Sequence, residues 1–111
     1  MKFIEAYIPP DALDEVRDLL SSQGIEELVA SEMALELEDD DVRPYWESAA
    51  SDFVPQIKLE LAVSDDRATT TAHAIFDAVS RRRAKRRVQI LISRLDEVVS
   101  IETGRRGSAA L

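Results

Sequence analysis

Residues 2–8, Lys-Phe-Ile-Glu-Ala-Tyr-Ile, alternate with period two, which sets Ile4, Ala6 and Ile8 on one side and Phe3, Glu5 and Tyr7 on the other. That pattern predicts a half-buried strand, and Pro9-Pro10 ends it because proline brings no N–H to a ladder. Pro10-Asp11 suit the opening of a helix: the ring presets φ, and an acid meets the positive end of the dipole. Leu13, Val16 and Leu20 then recur at helical spacing, with Leu19 beside them, until Gly24 offers a stop. Met33, Leu35 and Leu37 alternate with Glu32, Ala34, Glu36 and Glu38, predicting a second strand that starts near Leu28. Across residues 38–52 no period is sustained. Alternation returns with Ile57, Leu59, Leu61 and Val63. Ser64-Asp65-Asp66 reads as an N-cap followed by dipole-compatible acids, and Ala68, Ala72, Ile75, Phe76 and Val79 form the apolar stripe of a second helix. Val88, Ile90 and Ile92 predict a fourth strand. After a turn at Arg94–Glu97, a short strand is expected near Val99–Glu102, then a tail over about 103–111.

The order β-α-β-loop-β-α-β predicts a ferredoxin-like α+β fold, βαββαβ. Its antiparallel four-stranded sheet carries both helices on one face. One domain over residues 1–111 is expected, since this length does not divide into two cores. The aperiodic stretch, about 37–51, is long for a connector in so small a domain, and such loops commonly carry function. The uncovered sheet face holds Phe3 and Tyr7, and a homo-oligomer would bury it.

Composition narrows the function. Apolar residues are 45% of the chain but aromatics only 5%, so the core is aliphatic. The absence of Cys excludes disulfides, thiolate metal sites and a Cys nucleophile, and a single His excludes a multi-His metal site within one chain. No apolar run approaches the ~20 residues of a membrane span, and the first residues lack the apolar core of a signal peptide; a cytoplasmic location is expected. The net charge of −8 is uneven. Residues 1–80 hold 19 acids against five bases, whereas 81–87, Arg-Arg-Arg-Ala-Lys-Arg-Arg, hold six of the 14 bases. An acidic body repels polyanions, which argues against nucleic acid and against anionic membranes.

Several features are candidates for chemistry. The basic stretch reads in three ways: a solvated helix end favoured by the dipole, an anion site built from Arg and Lys side chains, or a nucleic-acid contact, disfavoured by the missing aromatics. The acids Glu36, Glu38, Asp39, Asp40 and Asp41 supply oxygens suited to a hard cation but lack the calcium-loop spacing; a solvated loop is the simpler account. Tyr45 and Trp46, beside Arg43 and Pro44, are aromatic candidates for a partner hot spot or for packing against a subunit. His73 falls off the helix stripe and reads as a surface residue. Lys58 and Glu60 share a strand face and form either a cross-strand ion pair or part of a binding site. No constellation for nucleophilic or acid–base catalysis is present, so no enzyme is expected.

Three separated motifs carry a resemblance. Met1-Lys-Phe-Ile-Glu-Ala-Tyr-Ile-Pro-Pro with Leu13-Asp-Glu-Val-Arg-Asp-Leu-Leu and Gly24-Ile, then Asp52-Phe-Val-Pro-Gln-Ile-Lys-Leu-Glu-Leu, then Ile101-Glu-Thr-Gly, resemble segments of PII signal-transduction proteins in register across nearly the whole chain. The resemblance implies a homotrimer with effector clefts between subunits for ATP or ADP, often with 2-oxoglutarate. It also implies a long partner-docking loop, about 37–51 here, in which Asp39, Asp40, Asp41, Arg43, Tyr45 and Trp46 would meet the target. Glu60 matches a residue that contacts the nucleotide's ribose region.

The departures are as specific. Where the family has a glycine-rich phosphate loop, this chain has Ser80 to Gln89 without a glycine, so Lys85, Arg86, Arg87 and Gln89 are candidates for a rebuilt anion site together with Lys58 and Glu60. The family's C-terminal phosphate-binding Arg pair matches Ser100 and Glu102, and its phosphate-contacting Lys matches Gln56. An adenine nucleotide is therefore expected to bind weakly or not at all. The resulting expectation is a divergent PII-like regulator, non-enzymatic, without a metal site. It would sense a small ligand and act through its loop on a membrane transporter or a metabolic enzyme. The alternatives are a metal-responsive protein similar to the trimeric CutA type and an inorganic-carbon-linked PII-like protein.

Overall fold

Alternation and helical spacing are realised in a computed structural model that describes residues 1–36, 53–82 and 88–111. The elements are β1 (Lys2–Ile8), a 3-10 turn (Pro10–Ala12), α1 (Leu13–Ser22), β2 (Val29–Glu36), β3 (Phe53–Val63), α2 (Asp65–Ser80), β4 (Gln89–Arg94) and a terminal 3-10 turn (Gly107–Ala110). Hydrogen-bonded neighbours run β2-β3-β1-β4, and every pairing is antiparallel. This is the ferredoxin-like sheet that the element order predicts. The loop at about 37–51 lies outside the described residues.

Register explains why one face becomes the core. Ile4, Ala6 and Ile8 stand opposite Leu61, Leu59 and Ile57, and all six are buried. Side chains alternate across a strand, so one aliphatic layer forms under the helices. From above, Val16 and Leu20 of α1 and Ala68, Ile75, Ala78 and Val79 of α2 close it. Each fully buried aliphatic side chain contributes about 1.5–3 kcal/mol.

The helices run antiparallel and are tied at both ends. Arg67 Nη2, in the first turn of α2, donates to the Gln23 carbonyl beyond the end of α1 at 2.6 Å. Past the other end of α2, Arg82 reaches Asp11 Oδ2 at 3.2 Å and Glu15 Oε2 at 2.7 Å, and Arg81 Nη2 lies 3.1 Å from Glu15 Oε1. Two members of the basic stretch thus have acidic partners around the start of α1.

Three local expectations are corrected. Phe76 is 58% exposed and packs its ring near His73 instead of entering the core. Ala68, Ile75 and Val79 of the expected stripe are buried, and Thr71 and Ala78 complete the buried face of α2 in place of Phe76 and the half-buried Ala72. Ser64 occupies the N-cap with extended dihedrals, yet its side chain makes no cap bond. The first helical acid, Asp65, instead accepts from the Met1 amino group at 2.8 Å, which lowers its carboxyl pKa. The short strand near 99–102 is replaced by a hairpin, Val98–Gly107. Gly104, at φ +72°, turns the chain back on itself. Bonds from Gly104 N to Ser100 O, Ser100 N to Arg105 O and Gly107 N to Val98 O then close the arm, with one bridge between Val99 and Arg106. The reversal comes too early to leave length for a ladder.

Candidate functional site

Two regions hold the functional candidates among the described residues. The first is the open face of the sheet. Tyr7 stands opposite Lys58 on one side and Gln89 on the other, and Glu5 stands between Glu60 and Leu91. Lys58, Glu60 and Gln89, which the sequence nominates, are therefore brought into two adjacent rows. Directly opposed carboxylates such as Glu5 and Glu60 repel. Lys58 Nζ lies 3.4 Å from Glu60 Oε1, each side chain 31% exposed. Glu60, and then Glu5, raise the Lys58 pKa by favouring its charged form. Gln56, on the Lys58 side of β3, is buried opposite Met33. Lys85, Arg86 and Arg87 lie outside the described residues, as do Asp39, Asp40, Asp41, Arg43, Tyr45 and Trp46.

The second region is a cleft of about 660 Å³ between the body and the C-terminal arm. Its floor starts where α1 stops. Gly24, at φ +81°, adopts the left-handed turn, Gly24 N donates to Ser21 O, and Ile25 N donates to Leu20 O. That closure directs Ile25 into the core and turns Glu26 and Glu27 to the cleft. Ala62, Val63, Ser64 and Arg67 complete the floor, while Ser100, Glu102, Thr103 and Arg105 of the hairpin and Ala109–Leu111 form the opposite wall. Ser100 and Glu102, the positions matched to phosphate-binding arginines, thus share one cavity with Glu26 and Glu27. Three carboxylates against two guanidinium groups make this wall unfavourable for a polyphosphate. Pattern reading found Ser100 and Glu102 through the resemblance but not Glu26, Glu27 or Arg67. The signal was the Gly24-Ile25 stop, which fixes where the next two residues point.

Family comparison completes the picture. The model of the family described as Nitrogen regulatory protein P-II matches residues 1–105. The chain belongs to the P-II family. Among curated relatives, the nitrogen regulatory protein P-II of Cereibacter sphaeroides is 33% identical over 113 aligned residues, and that of Rhizobium meliloti (strain 1021) is 31% identical over 113. Nitrogen regulatory protein GlnK of Escherichia coli (strain K12) is 29% identical over 116. Each alignment covers the whole of both chains. This P-II family member is accordingly a regulatory protein of that group, and none of its described helices is long and apolar enough to cross a membrane.

Proposed function

We propose that this P-II family member is a cytoplasmic, non-enzymatic homotrimer that senses a small ligand in the clefts between its subunits. It relays that state through residues 37–51 to a membrane transporter or metabolic enzyme. Differential binding of the ligand to two loop states would shift their populations. The single observation that carries the ligand side of this reading is the cleft at Glu26, Glu27, Ser64, Ser100 and Glu102. Two of these residues, Ser100 and Glu102, are those that the resemblance matches to the family's phosphate-binding Arg pair, a neutral and an acidic side chain in place of two cations. Assembly is supported by the open face, where half-buried Phe3 and Tyr7 adjoin Leu91, 47% exposed.

Loss of a charge-assisted phosphate contact is worth about 1.5–3 kcal/mol. Replacing an Arg pair with Ser100 and Glu102 therefore moves a nucleotide affinity by two or more orders of magnitude. Calorimetry with ATP at physiological salt is expected to show no low-micromolar binding; such binding would overturn the ligand assignment. For the loop, deletion of residues 40–48 is expected to leave the assembly intact and abolish capture of a transporter or enzyme partner. If capture survives, the partner surface lies elsewhere.

A further inference from the structure

The two ends of α2 carry opposite charge that neither end neutralises locally. At the first turn, Ser64 and Arg67 line the cleft with Glu26, Glu27 and Glu102. None of these three carboxylates has an ion pair among the described residues. Arg67 is committed to the Gln23 carbonyl, and Arg105 is the cavity's other cation. Past the last turn, residues 81–87 hold six bases, and no acid occurs in the sequence between Asp77 and Asp96. Asp11 and Glu15 of the neighbouring helix start answer Arg81 and Arg82. Arg83, Lys85, Arg86 and Arg87 remain beyond that pairing in the sequence.

One subunit cannot bring the two ends together. α2 has 16 residues, and at about 1.5 Å per residue it holds them roughly 24 Å apart. A second copy can. A head-to-tail contact repeats one pairing of unlike surfaces at every boundary and closes as a ring. The same two places are where the chain departs from the P-II pattern. Ser100 and Glu102 stand where the resemblance puts cations, and the basic stretch stands where it puts a glycine-rich loop. Each change alone weakens a phosphate site. Together they leave two surfaces of complementary charge.

We infer that Glu102 and the acidic wall around it pair with the basic end of α2 in the next subunit. The subunit cleft is then held by the protein's own charges where the P-II pattern expects a phosphate. An anion enters only by displacing Glu102 from those bases. Arg105, on the same wall, limits the strength of the pairing. The inference rests on the homotrimer proposed above.

Sedimentation equilibrium of the full-length protein over a dilution series reads the pairing, with mild urea added where dilution alone leaves the parent assembled. Glu102 is exposed, and the thermal transition confirms that each variant is folded. Glu102→Arg is expected to raise the concentration of half-dissociation roughly tenfold, from about fivefold at each of three boundaries. Added salt should weaken the parent and have less effect on Glu102→Gln, because screening removes only the pair. Arg86→Glu with Arg87→Glu should weaken assembly as Glu102→Arg does. Mixing those chains with Glu102→Arg chains should give mixed assemblies at concentrations where neither variant assembles alone, which a pairing within one chain would not. Assembly indifferent to Glu102→Arg, or mixing that rescues nothing, would overturn the pairing and leave the trimer standing. A parent that is a single chain at every concentration would overturn the trimer as well.

Discussion

The sheet presents two faces in one register, and they are built from different chemistry. Under the helices, Ile4, Ala6 and Ile8 meet Leu61, Leu59 and Ile57, all buried. One residue along the same strands, Phe3, Glu5 and Tyr7 meet Ala62, Glu60 and Lys58, all half-buried. Sealing the first face requires only this chain. The second carries an opposed carboxylate pair, one lysine paired with Glu60, and partly covered rings beside them, a composition suited neither to water nor to an apolar core. The difference separates what holds the subunit together from what is left for assembly and signalling.

The largest expected effect lies on the covered face. Leu59→Ala should cost about 2–5 kcal/mol in denaturant unfolding, from lost transfer energy and the cavity left behind. A change on the open face one residue away, Lys58→Gln, should cost clearly less; equal costs would erase the distinction between the faces. A second substitution sharpens it from the helix side. Thr71 is 1% exposed, and its Oγ1 has no hydrogen-bond partner among the described residues. Thr71→Val keeps the shape and removes a buried hydroxyl, so it should stabilise by about 1 kcal/mol. Destabilisation would mean the hydroxyl is satisfied. At the helix ends, Arg82→Ala breaks contacts to Asp11 and Glu15 and should cost no more than about 1 kcal/mol, falling further in high salt.

Titration gives the smallest effect. Glu60 and Glu5 hold the Lys58 pKa above its ordinary 10.5. Its contribution is therefore fully present below that value and is lost as pH rises through the folded-state pKa. Asp65, lowered from 3.8 by the Met1 amino group, behaves oppositely: its contribution is present above 3.8 and is lost as pH falls through the folded value. Lys58→Met should flatten the alkaline arm of the stability profile, and Asp65→Asn the acid arm. An alkaline arm unmoved by Lys58→Met, or an acid arm unmoved by Asp65→Asn, would break the assignment.

Legibility in the sequence followed the same division. The covered face could be read because period two and aliphatic residues coincide at Ile4, Ala6, Ile8, Leu59 and Leu61. Phe76 misled because Ala72 and Phe76 satisfy helical spacing beside Ile75 and Val79 nearly as well as Thr71 and Ala78 do. Only the packing angle of α2 decides between those faces. Arg81 and Arg82 stood in a basic run whose acidic partners lie about 70 positions away, a pairing that no local pattern reveals. The cleft was half legible. Ser100 and Glu102 came from motif register, whereas Glu26, Glu27 and Arg67 join them only once the hairpin folds over the α1 stop.

Mass in solution tests the central claim most directly, namely that the open face is an interface between copies of a P-II family subunit. Sedimentation equilibrium at micromolar concentration should give three times the 12.4 kDa chain mass. Tyr7→Asp, placed on that face, should shift the mass toward a single chain without abolishing the thermal transition. A wild-type mass of 12.4 kDa, or a trimer unmoved by Tyr7→Asp, would contradict the account.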